Sequence, residues 1–496
     1  MERLKTNTSA ESPEDGVLVT RADGTQAIKV RKRKRRSEQP IKEQQKQTRR
    51  ARIVQVAGAT IVLVFMIVSA GIALAYANSP SFRKGLLEKI LICTGANSEI
   101  GTFRVNPRTA NAGKLNLQWP KGNVLDQLAL GGITATIAPS SFLGKAMTGE
   151  EIAVSDSKLT LQLPDLGQPL RAESFPEAEL PISFNRYRTP NLDIVFGKDG
   201  LISLKKTEAS LNFNAVTNRV QFGLNGGALT LPGWPKITLD RAFMEFQDKE
   251  INIISLNLLD PSGRDGMFEF SGTLAPYAPE RRSTLAADVK NFPISGIIGS
   301  GLDKFFAGNI DSSPNDKSNF YSFYPSTKPA QRLSITFTKH LAGVFEVSKF
   351  PFLFALAQVL ADDWFKAPTF VGENATGTII REKDSILIQN LNLQSRGRMA
   401  LHGDVLLSQD DMLSGKLELG VAENMMLAAA DSPELKVLFS EPRDGYCWLE
   451  FDVSGTPDVP KDGFRELLLA AKAGRSKPDP APDFKGSTFE ELTKPR

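Results

Sequence analysis

Hydrophobic and polar positions follow two different patterns along this chain. From Val56 to Ala77 they do not alternate at all: Ile61-Val62-Leu63-Val64-Phe65-Met66-Ile67-Val68 lies within a charge-free run that continues through Leu74-Ala75-Tyr76-Ala77. About 20 apolar residues rising ~1.5 Å each match a hydrocarbon core of ~30 Å, which predicts one transmembrane helix over 53–78. Ser79-Pro80 breaks that helix, and 79–98 reads as a short amphipathic helix with Leu86, Leu87, Ile90 and Leu91 on one face. Beyond residue 99 the period switches to two. Leu115-Asn116-Leu117-Gln118-Trp119, Leu159-Thr160-Leu161-Gln162-Leu163, Leu211-Asn212-Phe213, Val220-Gln221-Phe222 and Leu333-Ser334-Ile335-Thr336-Phe337 all alternate between turn-forming residues. Such runs predict half-buried antiparallel strands. The phase slips at Ile253-Ile254 and Gln389-Asn390, where bulges or turns are expected.

Four stretches depart from the strand pattern. Pro139-Ser140-Ser141-Phe142-Leu143 opens a single helical turn, and Phe292 to Phe306 holds a short apolar helix, with Gly296-Ile297-Ile298-Gly299-Ser300-Gly301 read as a loop. Phe350 to Phe365 is the most apolar stretch after the span, too short to cross a bilayer and interrupted by Asp362-Asp363. Asp462 to Ala473 reads as a closing helix ended by Gly474. The organisation that follows is a disordered basic segment 1–52, the span, the linker helix, a β region 99–310, a loop 311–330, a β region 331–474 and a disordered tail 475–496. One element, apolar-x-apolar-x-Gly, recurs as Phe268-Glu269-Phe270-Ser271-Gly272, Met399-Ala400-Leu401-His402-Gly403 and Phe451-Asp452-Val453-Ser454-Gly455. A glycine inside a strand pattern marks a bulge or a close backbone approach.

Charge fixes an orientation. The chain of 496 residues has a formal net charge of +4, yet 29–52 alone holds twelve Lys and Arg against Glu38 and Glu43. The part beyond the span is therefore mildly acidic and carries no basic stripe, which excludes nucleic acid as an expected partner. Arg31, Lys32, Arg33, Lys34, Arg35, Arg36, Arg49, Arg50 and Arg52 sit directly before the span. Basic residues flanking one end of a span hold that end in the cytoplasm and rest on anionic headgroups. A cleaved signal peptide fits poorly, because its basic region would not lie so deep and its apolar region would be shorter.

Catalytic chemistry has little foothold in the sequence. There is no P-loop, dinucleotide fingerprint, HExxH or GxSxG. His340 and His402 have no nucleophile near them in sequence and no metal-ligand spacing with Cys93 or Cys447, whose pairing is left open. No cofactor or metal is expected.

After the single span come Leu130-Gly131-Gly132-Ile133-Thr134-Ala135-Thr136-Ile137 with Phe142-Leu143-Gly144-Lys145, then Leu285 to Val289 running through Phe292-Pro293-Ile294-Ser295 to Ile310, then Val371 to Val421 followed by Val453 to Pro460. With these segments the strand-rich region resembles the AsmA-like family of bacterial envelope proteins. The resemblance implies an elongated, curled antiparallel sheet standing in the periplasm from an inner-membrane anchor, serving outer-membrane assembly or lipid movement with phospholipid or another envelope lipid as ligand. Leu161, Phe213 and Ile335 are the strand positions expected to face lipid. The Phe350–Phe365 stretch reads first as a buried helix closing one end of the sheet; its functional reading is an amphipathic plug or membrane-touching helix, with Phe352, Phe354, Leu356, Trp364 and Phe365 as the candidate lipid contacts. A scaffold with envelope protein partners, in a secretion or pilus apparatus, is the competing function. An envelope hydrolase is the least supported.

Overall fold

The computed structural model describes residues 17–29, 39–138, 147–162, 182–196, 202–214, 219–231, 234–247, 250–260, 266–275, 281–312, 317–323, 331–371, 375–382, 385–428 and 433–474. The protein divides into two compact units, Met1–Ile72 and Ala73–Arg496. In the first, β1 (Val17–Thr20) and β2 (Gln26–Lys29) form a hairpin within the segment expected to be disordered, and α1 begins at Gln39. α1 runs Gln39–Ala77, and its stretch Ala59–Ala77 is long and apolar enough to cross a membrane. α2 (Pro80–Thr94) starts where the sequence places it. Ser79 accepts the Phe82 N–H, Pro80 occupies the first turn, and Gly95 ends the helix in the left-handed region at φ 67°.

The second unit is built on one large, curled, mixed sheet. β3 (Asn97–Ile100) and β4 (Phe103–Val105) lie along one edge of β5 (Thr109–Gln118), followed by β6 (Leu125–Ile137), β7 (Met147–Leu161), β8 (Ile182–Phe196) and β9 (Ile202–Asn214). Next, β10 (Arg219–Asn225) and β11 (Ala228–Thr230) share one line between β9 and β12 (Ile237–Gln247). β13 (Glu250–Leu259), β14 (Met267–Leu274) and β15 (Ser283–Lys290) continue the ladder. The line then splits among β16 (Phe292–Pro293), β18 (Asn309–Ser312) and β19 (Phe320–Phe323) before β20 (Arg332–Lys339). A separate small sheet joins β17 (Phe306–Ala307), β21 (Phe345–Val347) and β22 (Thr369–Phe370). The main sheet ends with β23 (Ala375–Glu382), β24 (Ser385–Ser395), β25 (Met399–Leu407), β26 (Leu413–Ala422) and β28 (Tyr446–Gly455), whose far edge carries β27 (Glu441–Arg443) and β29 (Pro460–Asp462). Split lines close small local circuits, but among the described residues no pairing joins the β3–β4 edge to the β27–β29 edge, so the sheet is open.

Two expectations change. The sheet is not wholly antiparallel: β7 and β8 run parallel, with Ile152 opposite Tyr187 and Leu159 opposite Ile194. A parallel pair needs a crossover of about a dozen residues or more, and the stretch between Leu161 and Ile182 is long enough to supply it. The expected loop 311–330 contains β19, because Tyr321 aligns with Leu285 on one side and Leu333 on the other. The helical turn expected at 139–143 and the tail 475–496 lie outside the described residues.

The core lies at the C-terminal end of the sheet, where helices cover its inner face. α3 (Ser295–Leu302) is a helix for one turn only. Gly299 and Gly301 then take φ 70° and 136°, so the glycine-rich run is part helix and part turn. α4 (Pro351–Leu360) and the 3-10 turn Asp363–Lys366 form the buried helix that is the first reading of that stretch. Asp462 caps α4 from a distance, accepting the Phe352 N–H at 2.6 Å. α5 (Glu423–Ala428), α6 (Pro433–Leu438) and α7 (Phe464–Lys472) complete this end, α7 close to the predicted range.

Burial pushes the Asp462 carboxyl above its ordinary 3.8. A folded-state pKa raised in this way destabilises the fold progressively as pH rises from that ordinary value through the raised one. Asp462→Asn keeps an acceptor for Phe352 without the buried charge. It should unfold at higher urea than the parent at pH 7, and the two midpoints should converge below pH 3.8. Equal midpoints at pH 7 would mean that hydrogen bonding offsets the whole cost of burying the carboxylate.

Candidate functional site

Cross-strand partners share a face of a sheet, so the register can be followed from strand to strand. One row runs Ala110, Ala135, Ile152, Tyr187, Leu211, Phe222, Met244 and Ile253 across eight neighbouring strands. A second runs Leu117, Leu128, Leu159, Ile194, Leu204, Leu229 and Ile237. No residue in either row is charged. One step along each strand, the opposite face reads Glu151, Arg186, Asn212, Gln221, Glu245 and Asn252. The ion pairs lie on that outer face: Arg186 with Glu151 at 3.6 Å, Arg188 with Glu208 at 2.8 Å and Arg219 with Glu245 at 3.5 Å. A hollow of about 370 Å³ between Ser210, Asn225, Arg241 and Phe243 also opens on the outer side.

The inner face is sealed at both ends and open between. At its start, Leu74 and Ala77 from the last turn of α1 pack with Val105, Ala110, Ala135 and Ile137, while Leu86 and Ile90 of α2 cover Leu117 and Trp119. Trp119 also donates its indole N–H to the Thr94 carbonyl at 2.9 Å. At the far end, the first row continues from Ile253 through Gly272, Leu285, Tyr321 and Leu333 into the fully enclosed core. Burial there pushes the Tyr321 phenol up to about 12, with Arg381 pulling the other way. Between the two ends, Leu128, Ile152, Leu159, Tyr187, Ile194, Leu211, Phe222 and Met244 are only half-buried. The same apolar face that forms a core under the helices is left as a trough over β6–β10.

The candidate lipid-facing residues divide accordingly. Leu161 lies in the trough, aligned with Leu125 and Phe196. Phe213 stands at its rim with Val220, Phe246 and Ile251, and is 38% exposed. Ile335, Phe352, Leu356 and Phe365 are completely buried in the core and face their own protein, not lipid. Trp364 is half-buried beneath the Arg398 guanidinium at 4.8 Å, and Phe354 projects from α4 at 49% exposure. Among the basic candidates, Arg49, Arg50 and Arg52 lie on α1, whereas residues 31–36 fall outside the described set. Ile152, Tyr187, Leu211, Phe222 and Met244 were not singled out from the sequence. The runs carrying Leu211 and Phe222 were legible as strands, whereas those around Ile152, Tyr187 and Met244 were not, and alternation reads the same whether the apolar side is covered or open.

The titratable groups noted in the sequence are engaged structurally. His340 Nδ1 lies 2.8 Å from Asp311 at the end of β20. His402 stacks on Trp448 at 4.6 Å, and burial lowers its pKa. Asp362 caps the 3-10 turn through the Trp364 N–H, and Asp363 pairs with Lys366 at 2.8 Å. No disulfide joins Cys93, buried on α2, to the half-buried Cys447. Among the described residues no cluster of His, Cys, Asp and Glu has the makings of a metal site. No protein-family model matches the chain, and no curated protein matches its sequence.

Proposed function

We propose that this chain is a single-pass anchored envelope protein whose trough holds and passes the acyl chains of lipids, with no chemistry of its own. The observation that carries the reading is the charge-free inner face over β6–β10, half-open to solvent while the polar groups crowd the other side. Lipid tails are about as apolar as Leu, so transfer from a bilayer to such a face is nearly neutral in free energy. A surface of this kind suits passage better than tight storage. The basic block before the span supports a cytoplasmic N-terminus with the sheet on the far side of the membrane, and the resemblance to AsmA-like proteins supports the periplasmic side of an inner membrane and envelope biogenesis as the setting.

The test is organic extraction and mass spectrometry of residues 73–474 purified without detergent. The parent should carry phospholipid. Leu211→Asp and Phe222→Asp should lose most of it, because a carboxylate on an acyl path costs about 2.5–3.5 kcal/mol by membrane-insertion scales. Asn212→Asp, on the outer face, should retain it. A folded parent free of lipid would overturn the reading.

A scaffold reading has one observation in its favour. Buried Lys339 donates hydrogen bonds to the carbonyls of His340 (2.6 Å), Leu341 (3.1 Å) and Gly343 (2.8 Å), fixing a loop that holds Leu341 80% exposed. Val344 and Val371 nearby in the fold are exposed as well. Loss of a co-purifying envelope protein on Leu341→Asp, with lipid content unchanged, would favour that reading.

A further inference from the structure

The trough begins beside the last turn of the apolar helix. Leu74 and Ala77 belong to the last turn of the apolar stretch Ala59–Ala77, and they pack with apolar side chains of the sheet's inner face beside its β4 edge. They share one apolar cluster with Ala110 and Ala135, the first two residues of the row that runs on through Ile152 to Phe222, and the same cluster takes in Phe103, Met147, Ile152 and Tyr187. The junction is clamped. Asn78 follows the span directly, and its side-chain amide pairs with both backbone groups of Val105: Nδ2 donates to the Val105 carbonyl and Oδ1 accepts the Val105 N–H, each at 2.8 Å. Nδ2 also donates to the Leu74 carbonyl at 2.9 Å, so the end of the helix and the edge of the sheet are held by one side chain. Around the junction stand aromatic rings, Tyr76 against Phe82 at 5.7 Å and Phe82 against Phe103 at 6.2 Å, with Tyr76 59% exposed. Aromatic side chains at the end of a span settle at the headgroup level of a membrane.

Along the row, Ala110 and Ala135 are buried in the cluster that includes the helix end, Ile152 and Tyr187 are the first positions left half-open, and the row stays half-open as far as Met244 before Ile253 is buried again. We infer that the side of the span's last turn is where a diacyl phospholipid leaves the bilayer, its chains passing from Leu74 and Phe103 onto Ile152 and Tyr187 and then along Leu211 and Phe222. This rests on the lipid reading above and adds where the trough loads. The occupant follows from continuity: what lies beside Leu74 in a membrane is acyl chain, and no charged group interrupts the row. The headgroup stays outside the row, level with Tyr76.

The full chain, reconstituted in vesicles of phosphatidylethanolamine and phosphatidylglycerol with the photoreactive residue p-benzoylphenylalanine at position 222, tests this. Illumination should yield a protein–phospholipid adduct by mass spectrometry. Ile152→Asp should reduce that adduct about tenfold or more, and Ile152→Ser, which leaves no charge if the aspartate variant fails to fold, about threefold. Resistance to protease verifies folding in each. An undiminished adduct in a folded Ile152 variant would overturn the loading point while leaving the trough a lipid carrier. No adduct at position 222 in the parent would overturn both.

Discussion

Gly403→Ala should destabilise the sheet by about 4 kcal/mol or more, an exceptional value for adding one methyl group. Gly403 sits inside β25 at φ 130°, and a Cβ there would lie 2.1 Å from the Lys416 carbonyl oxygen and 3.0 Å from Leu417 Cα. Both obstacles are backbone of the neighbouring strand and cannot rotate away. The position exists because the strand on the other side bulges: the β24–β25 register shifts between Ile388 and Leu391, and Asn390 takes φ 53° while its N–H donates to Asp404 at 2.7 Å. Gly272 repeats the arrangement opposite the shift between Ile253 and Leu256, at φ 142°, but its nearest obstacle is Thr284 O at 3.0 Å. Gly272→Ala should therefore cost less than Gly403→Ala. Gly397 has a positive φ of 70° and open space around it, so Gly397→Ala should cost only the ~1–2 kcal/mol of a left-handed L-residue. Urea unfolding of the three variants should rank them in that order. A Gly403→Ala protein close to the parent would mean that the two strands separate at little cost.

That pair of bulges was legible in the sequence, both from the recurring Gly element and from the phase slips at Ile253-Ile254 and Gln389-Asn390, because a two-residue period makes any insertion visible. The strands were legible for the same reason, as was α2, whose Ser79-Pro80 start and Gly95 stop are local signals. Sidedness was not. Ile335 and Leu211 lie in runs that look alike, yet one is sealed under α4 and its neighbours while the other faces an open trough, a difference made by helices far away in sequence. The parallel pairing of β7 with β8 was hidden as well, since alternation carries no direction. A second repeat went unnoticed: Asn291-Phe292-Pro293 and Lys349-Phe350-Pro351 each place a non-glycine residue at positive φ, 48° and 64°, then a fully buried Phe, then a Pro that leads into a helix covering the core.

The two readings of the Phe350–Phe365 stretch separate in one experiment on α4. Phe352 is fully buried, with its ring 5.6 Å from Phe350, 5.0 Å from Phe451 and 6.5 Å from Phe464, so it ties α4 to β28 and α7. Phe352→Ala removes a ring from a site enclosed by three others. The surrounding strands are held by backbone ladders and relax only in part, so the lost transfer energy and the cavity together should cost about 3–5 kcal/mol. Phe354, two residues on, turns to the opposite side of the helix and is 49% exposed, and Phe354→Ala should change stability by no more than about 0.5 kcal/mol. If instead the stretch acted by touching lipid, Phe354→Ala would weaken vesicle binding of residues 73–474, which lack all but the end of the span, whereas Phe352→Ala would leave their stability near the parent's. The burial of Leu356 and Phe365 together with Phe352 argues for the first outcome, because the stretch puts three of its five candidate lipid contacts in the core and leaves only Phe354 and the half-buried Trp364 outside it.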